Sequence, residues 1–158
     1  MQQIKYQRGF TLVEVVAAVI ILGLLVSSWA TAAGGEQLRV RRQQLSALCN
    51  IVVMDLTAMQ VQAYCQTRAR QIPRMDLWQQ GTGYHLICGD KIIKQVALGK
   101  LGLEQYGLYA SARAIKFLPG GAPAATSTIR VVHREDASLQ KYICIQPVTG
   151  RVIIQDGT

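Results

Sequence analysis

The chain has only two histidines, His85 and His133, and its four cysteines contain no Cys-x-x-Cys pair. A metal centre of that kind needs its ligands at short, fixed spacings, so no metal motif is present. Both histidines fall within strand-like patterns, where a surface or hydrogen-bonded position accounts for them. No glycine-rich phosphate loop, His-Glu-x-x-His or Gly-x-Ser-x-Gly occurs either. The common sequence marks of nucleotide, metalloprotease and serine-hydrolase chemistry are therefore missing. The chain reads as no enzyme, with no cofactor, no metal and no small-molecule ligand. Proline is absent before Pro73, so nothing breaks a helix over the first 72 residues. Charge is absent from Val15 to Gly35. A run of that length exceeds the ~20 apolar residues that cross a bilayer core. The chain is anchored once, near its N-terminus.

What is present begins with a basic start, Lys5 and Arg8, followed by that apolar run. A cleaved secretory signal shares this plan, and Ala30-Thr31-Ala32 could supply its small-residue cleavage site. A plain signal anchor shares it too. Neither accounts for Glu14, a carboxylate at the edge of the apolar run. Such a group costs about 2.5–3.5 kcal/mol near the centre of a membrane helix and less near its end. A segment that only anchors has no reason to carry it.

Arg8-Gly9-Phe10-Thr11-Leu12-Val13-Glu14 with the apolar run behind it resembles the class III signal of the type IV pilin and pseudopilin family. The resemblance implies cleavage between Gly9 and Phe10 by the prepilin peptidase, a membrane aspartyl protease, and N-methylation of Phe10. It also implies an assembly role for Glu14, whose charge would pair with the amino terminus of a neighbouring subunit. The physics agrees, because an intramembrane carboxylate without a partner is costly and a cross-subunit pair relieves that cost. The partners implied are the peptidase, other pilin or pseudopilin subunits and the cytoplasmic (inner) membrane. Lys5 and Arg8 precede the span, which places the N-terminus in the cytoplasm and the remainder in the periplasm or outside. Trp29 is a candidate interfacial anchor near the outer end of the span.

Beyond the span, Leu45, Leu48, Val52, Leu56, Met59 and Ala63 recur at steps of three and four. That spacing predicts an amphipathic helix to about Arg70, stopped by Pro73 and softened at Gly34-Gly35. Further on the period changes to strands. Tyr84 to Cys88 and Ile92 to Val96 flank a Gly89-Asp90 turn. More strands are expected over Ala114 to Leu118, Thr128 to His133, Lys141 to Gln146 and Arg151 to Gln155. Pro119-Gly120-Gly121-Ala122-Pro123 reads as a loop and Pro147 to Gly150 as a turn. The fold class is α+β, pilin-like, with a long N-terminal helix packed on an antiparallel β-sheet. The expected divisions are a leader at 1–9, a transmembrane and assembly helix at 10–35, its amphipathic continuation at 36–72 and a strand-rich domain at 73–158. Trp78 packs on that domain, and Asp55 falls inside the amphipathic helix.

Ile115-Lys116-Phe117-Leu118-Pro119-Gly120, the strand from Thr128, Tyr142-Ile143-Cys144-Ile145 and Thr149-Gly150-Arg151-Val152 resemble the minor pseudopilin H and FimT family. That group serves type II secretion pseudopili and type IV pili. Relatives in DNA uptake carry a second arginine where this chain has Ile153. The full chain has a net charge of +8; loss of residues 1–9 leaves 15 basic against 9 acidic side chains, about +6. These charges are scattered, as on a solvated surface. Arg39, Arg41, Arg42 and Arg151 are the candidates for DNA contact, the alternative function being a DNA-binding minor pilin of a competence pilus. Cys88 and Cys144 both lie in strand patterns, and a domain outside the membrane permits disulfides, so they are the candidate pair.

Overall fold

The computed structural model describes residues 12–66 and 72–157, with the backbone alone over 27–35, Trp29 included. Gly9 and Phe10 lie outside the described residues. Helix α1 runs over Leu12–Cys65 and passes through Gly34 and Gly35 without interruption. The chain divides into two units, Met1–Arg41 and Arg42–Thr158. In the first, every side chain from Leu12 to Val26 is exposed.

The second unit holds the rest of α1 and eight strands. They are β1 (Arg74–Leu77), β2 (Gly83–Cys88), β3 (Lys91–Ala97), β4 (Tyr106–Ala110), β5 (Ala114–Lys116), β6 (Ser127–His133), β7 (Gln140–Ile145) and β8 (Val152–Asp156). Among the described residues these form two four-stranded sheets rather than one, in the orders β3-β2-β1-β5 and β4-β6-β7-β8, with every pairing antiparallel. The six residues of the expected helical stripe are all buried, and Cys49 joins them. They share one core with Met75 and Tyr84 of the first sheet and Tyr106, Ile129 and Ile143 of the second. By composition residues 36–65 are apolar enough to cross a membrane. Their apolar side is instead spent on this core, which is what distinguishes them from the exposed run at Leu12–Val26.

Strand β6 shows why the sheets form. Ser127, Ile129, Val131 and His133 are buried and their alternates are not, the period-two pattern of a half-covered sheet. The two tight hairpins use glycines where the backbone turns left-handed, Gly89 at φ 59° and Gly150 at φ 67°. Strand β5 ends at Lys116, two residues short of expectation. Phe117 bridges Pro123 and the Leu118 amide donates to Ala122 O at 2.7 Å, so the loop closes on itself and withdraws those residues from the sheet.

The helix ends at Cys65, eight residues before Pro73, so proline is not its stop. The buried row is exhausted at Ala63, and there the Gly120 amide donates to Ala63 O at 3.3 Å, occupying one of the carbonyls a helix end leaves unpaired. Replacing Leu48, fully buried on α1, with alanine is expected to destabilise the domain by about 2–5 kcal/mol. Val61→Ala on the exposed side should stay within about 0.5 kcal/mol. Urea unfolding of both variants checks this, and equal losses would show that α1 buries a different face.

Candidate functional site

Asp55 is the one acidic residue on the buried side of α1, with only 8% of its surface exposed. A carboxylate there needs partners close by. The Tyr84 hydroxyl donates to Oδ2 at 2.6 Å, and Lys94 Nζ donates to Oδ1 at 2.6 Å and to Oδ2 at 2.9 Å. Tyr84 comes from β2 and Lys94 from β3, so this cluster ties the helix to the first sheet. Burial, and secondarily the hydrogen bond and charge of Asp55, raise the Tyr84 phenol well above its ordinary range. The phenol stays protonated and remains a donor.

Two further ties hold α1. Gln44 Oε1 accepts from Gln105 Nε2 at 3.1 Å and from the Tyr106 hydroxyl at 3.3 Å. Gln60 Nε2 donates to Gly121 O at 3.1 Å and Thr149 O at 3.0 Å, which docks both C-terminal loops onto the last turns of the helix. Glycine is required at each contact. A Cβ on Gly121 would enter the Tyr64 ring, and one on Gly150 would meet the Gln60 amide. Cys49, between these ties, has its thiol pushed up to about 11 by burial, against the opposing pull of Lys141 and with a smaller push from Asp156.

Glu14 lies in the first turn of α1 and is exposed along with the apolar side chains around it. Arg39, Arg41 and Arg42 follow one another along α1, and Arg151 lies in the turn region before β8. Arg39 and Arg41 belong to the first unit and Arg42 and Arg151 to the second. Within the second unit, Arg42 begins the helical portion, whereas Arg151 follows the turn that Gln60 holds. Positions 42 and 60 are eighteen residue steps apart on the helix, about 27 Å along the axis. Ile153 lies inside β8 opposite Cys144.

No disulfide joins the candidate pair Cys88 and Cys144 in this structure. Cys88 ends β2 in the first sheet, whereas Cys144 pairs with Thr128 and Ile153 inside the second. His85 and His133 are likewise on different sheets; His133 is buried edge-on to Tyr106, with centroids 5.2 Å apart. Among the described residues no group of histidine, cysteine and carboxylate side chains could hold a metal ion. The helix-to-sheet cluster at Asp55 was missed in the sequence because a single aspartate in a helix has no visible partner. The signal that points to it is its position one residue from Leu56, on a stripe where every other member is apolar.

Residues 4–30 match the prokaryotic N-terminal methylation motif. The match spans Gly9, Phe10 and Glu14. No curated protein sequence matches the chain. Among solved structures, the type IV minor pilin FimU of Pseudomonas aeruginosa is similar at a TM-score of 0.57 and 13% identity, over 72% of this chain and 90% of that one. The chain therefore carries a prepilin-type signal and a type IV pilin-like α+β fold.

Alkaline pH tests the Asp55 and Cys49 environments. Tyr84 and Cys49 are acids whose folded-state pKa is raised. Their contribution is complete below the ordinary values, 10.0 and 9.0, and is lost as pH climbs through the raised ones. Stability should thus hold to about pH 9 and decline above it. The decline between 9 and 11 should be shallower in Cys49→Ala, as read from urea midpoints. Tyr84→Phe should cost about 1–3 kcal/mol at neutral pH by leaving one Asp55 oxygen short of a donor. A neutral result there would mean that the carboxylate does not depend on the phenol.

Proposed function

We propose that this type IV pilin-like chain is a minor subunit of a pilus-like filament, a type II secretion pseudopilus or a type IV pilus. Prepilin peptidase cuts between Gly9 and Phe10, Phe10 is N-methylated, and the subunit waits in the inner membrane as a single-pass protein with its cytoplasmic end at Lys5 and Arg8. The observation that carries this reading is the pairing of the methylation motif over residues 4–30 with an exposed apolar helix that bears Glu14 in its first turn. The likeness to a minor pilin supports the filament role at the level of the fold.

The mechanism follows from helix geometry. Cleavage leaves a positive amino group on Phe10, four residues before Glu14 and so on the same helical face. In the bilayer that carboxylate gains most from a cation on another subunit. A neighbour displaced along the filament axis offers its own terminus, so the pair sets the axial step at which subunits join. The apolar faces from Leu12 to Val26 then pack helix to helix.

Two substitutions separate processing from assembly. Gly9→Val should leave the membrane-extracted protein at its full precursor mass, whereas the natural chain should lack residues 1–9 and carry one added methyl group. Glu14→Ala should be cut normally yet fail to enter filaments, read as loss of subunit–subunit crosslinks. An unprocessed natural chain would refute the prepilin reading. Normal crosslinking of Glu14→Ala would remove the assembly role from that carboxylate.

A further inference from the structure

The outer face of the first sheet carries polar groups that the core does not explain. Tyr84 points inward to Asp55, and strand alternation therefore turns its neighbour His85 outward. Asp76 stands directly opposite His85 in the β1–β2 register and faces the same way. Trp78 follows one turn of the chain later, its indole 5.1 Å from the His85 ring. These three residues line a groove of about 440 Å³ together with Gln80, Thr82 and Arg113, a size within the ~300–1,000 Å³ of small-molecule sites.

Three polar atoms in this groove are shielded from solvent and have no hydrogen-bond partner among the described residues: Asp76 Oδ1, Trp78 Nε1 and His85 Nδ1. Native proteins hold such atoms to a few, because each costs stability. Among the described residues all three fall in this one place. The frame around them is firm. Arg74 Nε occupies the other Asp76 oxygen at 3.2 Å, Trp78 N donates to Gly83 O at 3.0 Å, and Arg134 Nη2 donates to Gln80 O at 3.2 Å. Asp76, Trp78 and His85 are each only partly buried, so rotation about their side-chain bonds can turn the polar atoms into the groove.

We propose that this groove binds a saccharide bearing a carboxylate, such as a uronic acid unit of a polysaccharide. A sugar hydroxyl is donor and acceptor at once. Neighbouring hydroxyls can therefore donate to Asp76 Oδ1 and accept from the Trp78 indole N–H, with His85 Nδ1 taking either role. The apolar face of a pyranose suits an indole with one polar edge. Arg113 is exposed and forms no ion pair among the described residues, which leaves a guanidinium at the rim to hold a carboxylate in bidentate fashion. Asp76 does not repel that carboxylate strongly, because Arg74 already neutralises it.

The inference is independent of the filament reading, and its test does not use assembly. The full-length chain with Trp29→Phe, held in a detergent without a sugar headgroup, has Trp78 as its one tryptophan. Its emission is titrated with tetragalacturonate and with the neutral maltotetraose. Expected is a saturable shift with the acidic oligosaccharide at least tenfold tighter than the neutral one. Arg113→Ala should abolish that preference, and Asp76→Asn should weaken both sugars at least fivefold, with melting temperatures confirming that each variant is folded. No saturable response to either sugar at millimolar concentration would overturn the proposal. So would binding indifferent to both substitutions.

Discussion

A carboxylate buried on the face of a helix can be satisfied in only one rotation of that helix. The apolar stripe from Leu45 to Ala63 would tolerate a slide of one turn, since isoleucine-sized holes repeat along a sheet. The Asp55 group does not tolerate it, because Tyr84 and Lys94 approach from two adjacent strands within 2.6 Å. The acid thus fixes both the rotation and the height of α1 on the first sheet. Gln44 and Gln60 repeat the restraint toward the second sheet and the C-terminal loops. With the helix set at three heights, the hydrophobic contacts of the core have one register to settle into.

Two acids on the same helix receive opposite treatment. Asp55 has its partners inside the fold, so its charge contributes to a single subunit's stability. Glu14 forms no ion pair among the described residues and sits among exposed apolar side chains. A charge in that setting is unfavourable in lipid until another molecule answers it. The same physical rule therefore yields a folding determinant at one end of α1 and, under the proposed function, an association determinant at the other. All three internal ties lie C-terminal to Arg42, so association through the apolar run asks nothing of them.

Much of this was legible from residue order. The stripe was, because burial on a helix leaves a 3.6-residue period that no other structure imitates over twenty residues. Six strands were, because short runs of apolar, β-branched and aromatic residues stand there between turn residues. Strands β1 and β4 were not. Arg74-Met75-Asp76-Leu77 has no β-branched residue and follows a proline, and Tyr106 to Ala110 contains Gly107, an entropic cost in a strand. That glycine is used by packing: a Cβ there would lie 2.7 Å from the Tyr109 ring. The split into two sheets was hidden for the same reason, since β1 and β4 are the strands that complete them. Strand pattern also tells nothing about which sheet a strand joins, so it could not place Cys88 and Cys144 relative to each other. Of the proposed site, Gly9, Phe10 and Glu14 were readable as a contiguous motif. The Asp55 cluster was not, since its members are 29 and 39 residues apart.

The distribution of glycines and amides at the far end of α1 carries the last step. Gly121 and Gly150 are both left-handed, and both admit helix side chains where a Cβ would obstruct them. Gln60 then spans the two loops with a single amide. An amide does this without a charge, so the joint is insensitive to pH and only weakly to salt. The joint at Asp55 differs, because its ion pair is half open to water through Lys94, whose side chain is 47% exposed. A domain built this way keeps its C-terminal loops seated on the helix as pH and salt change. The Asp55 pair, screened by salt on its Lys94 side, is where such changes act first.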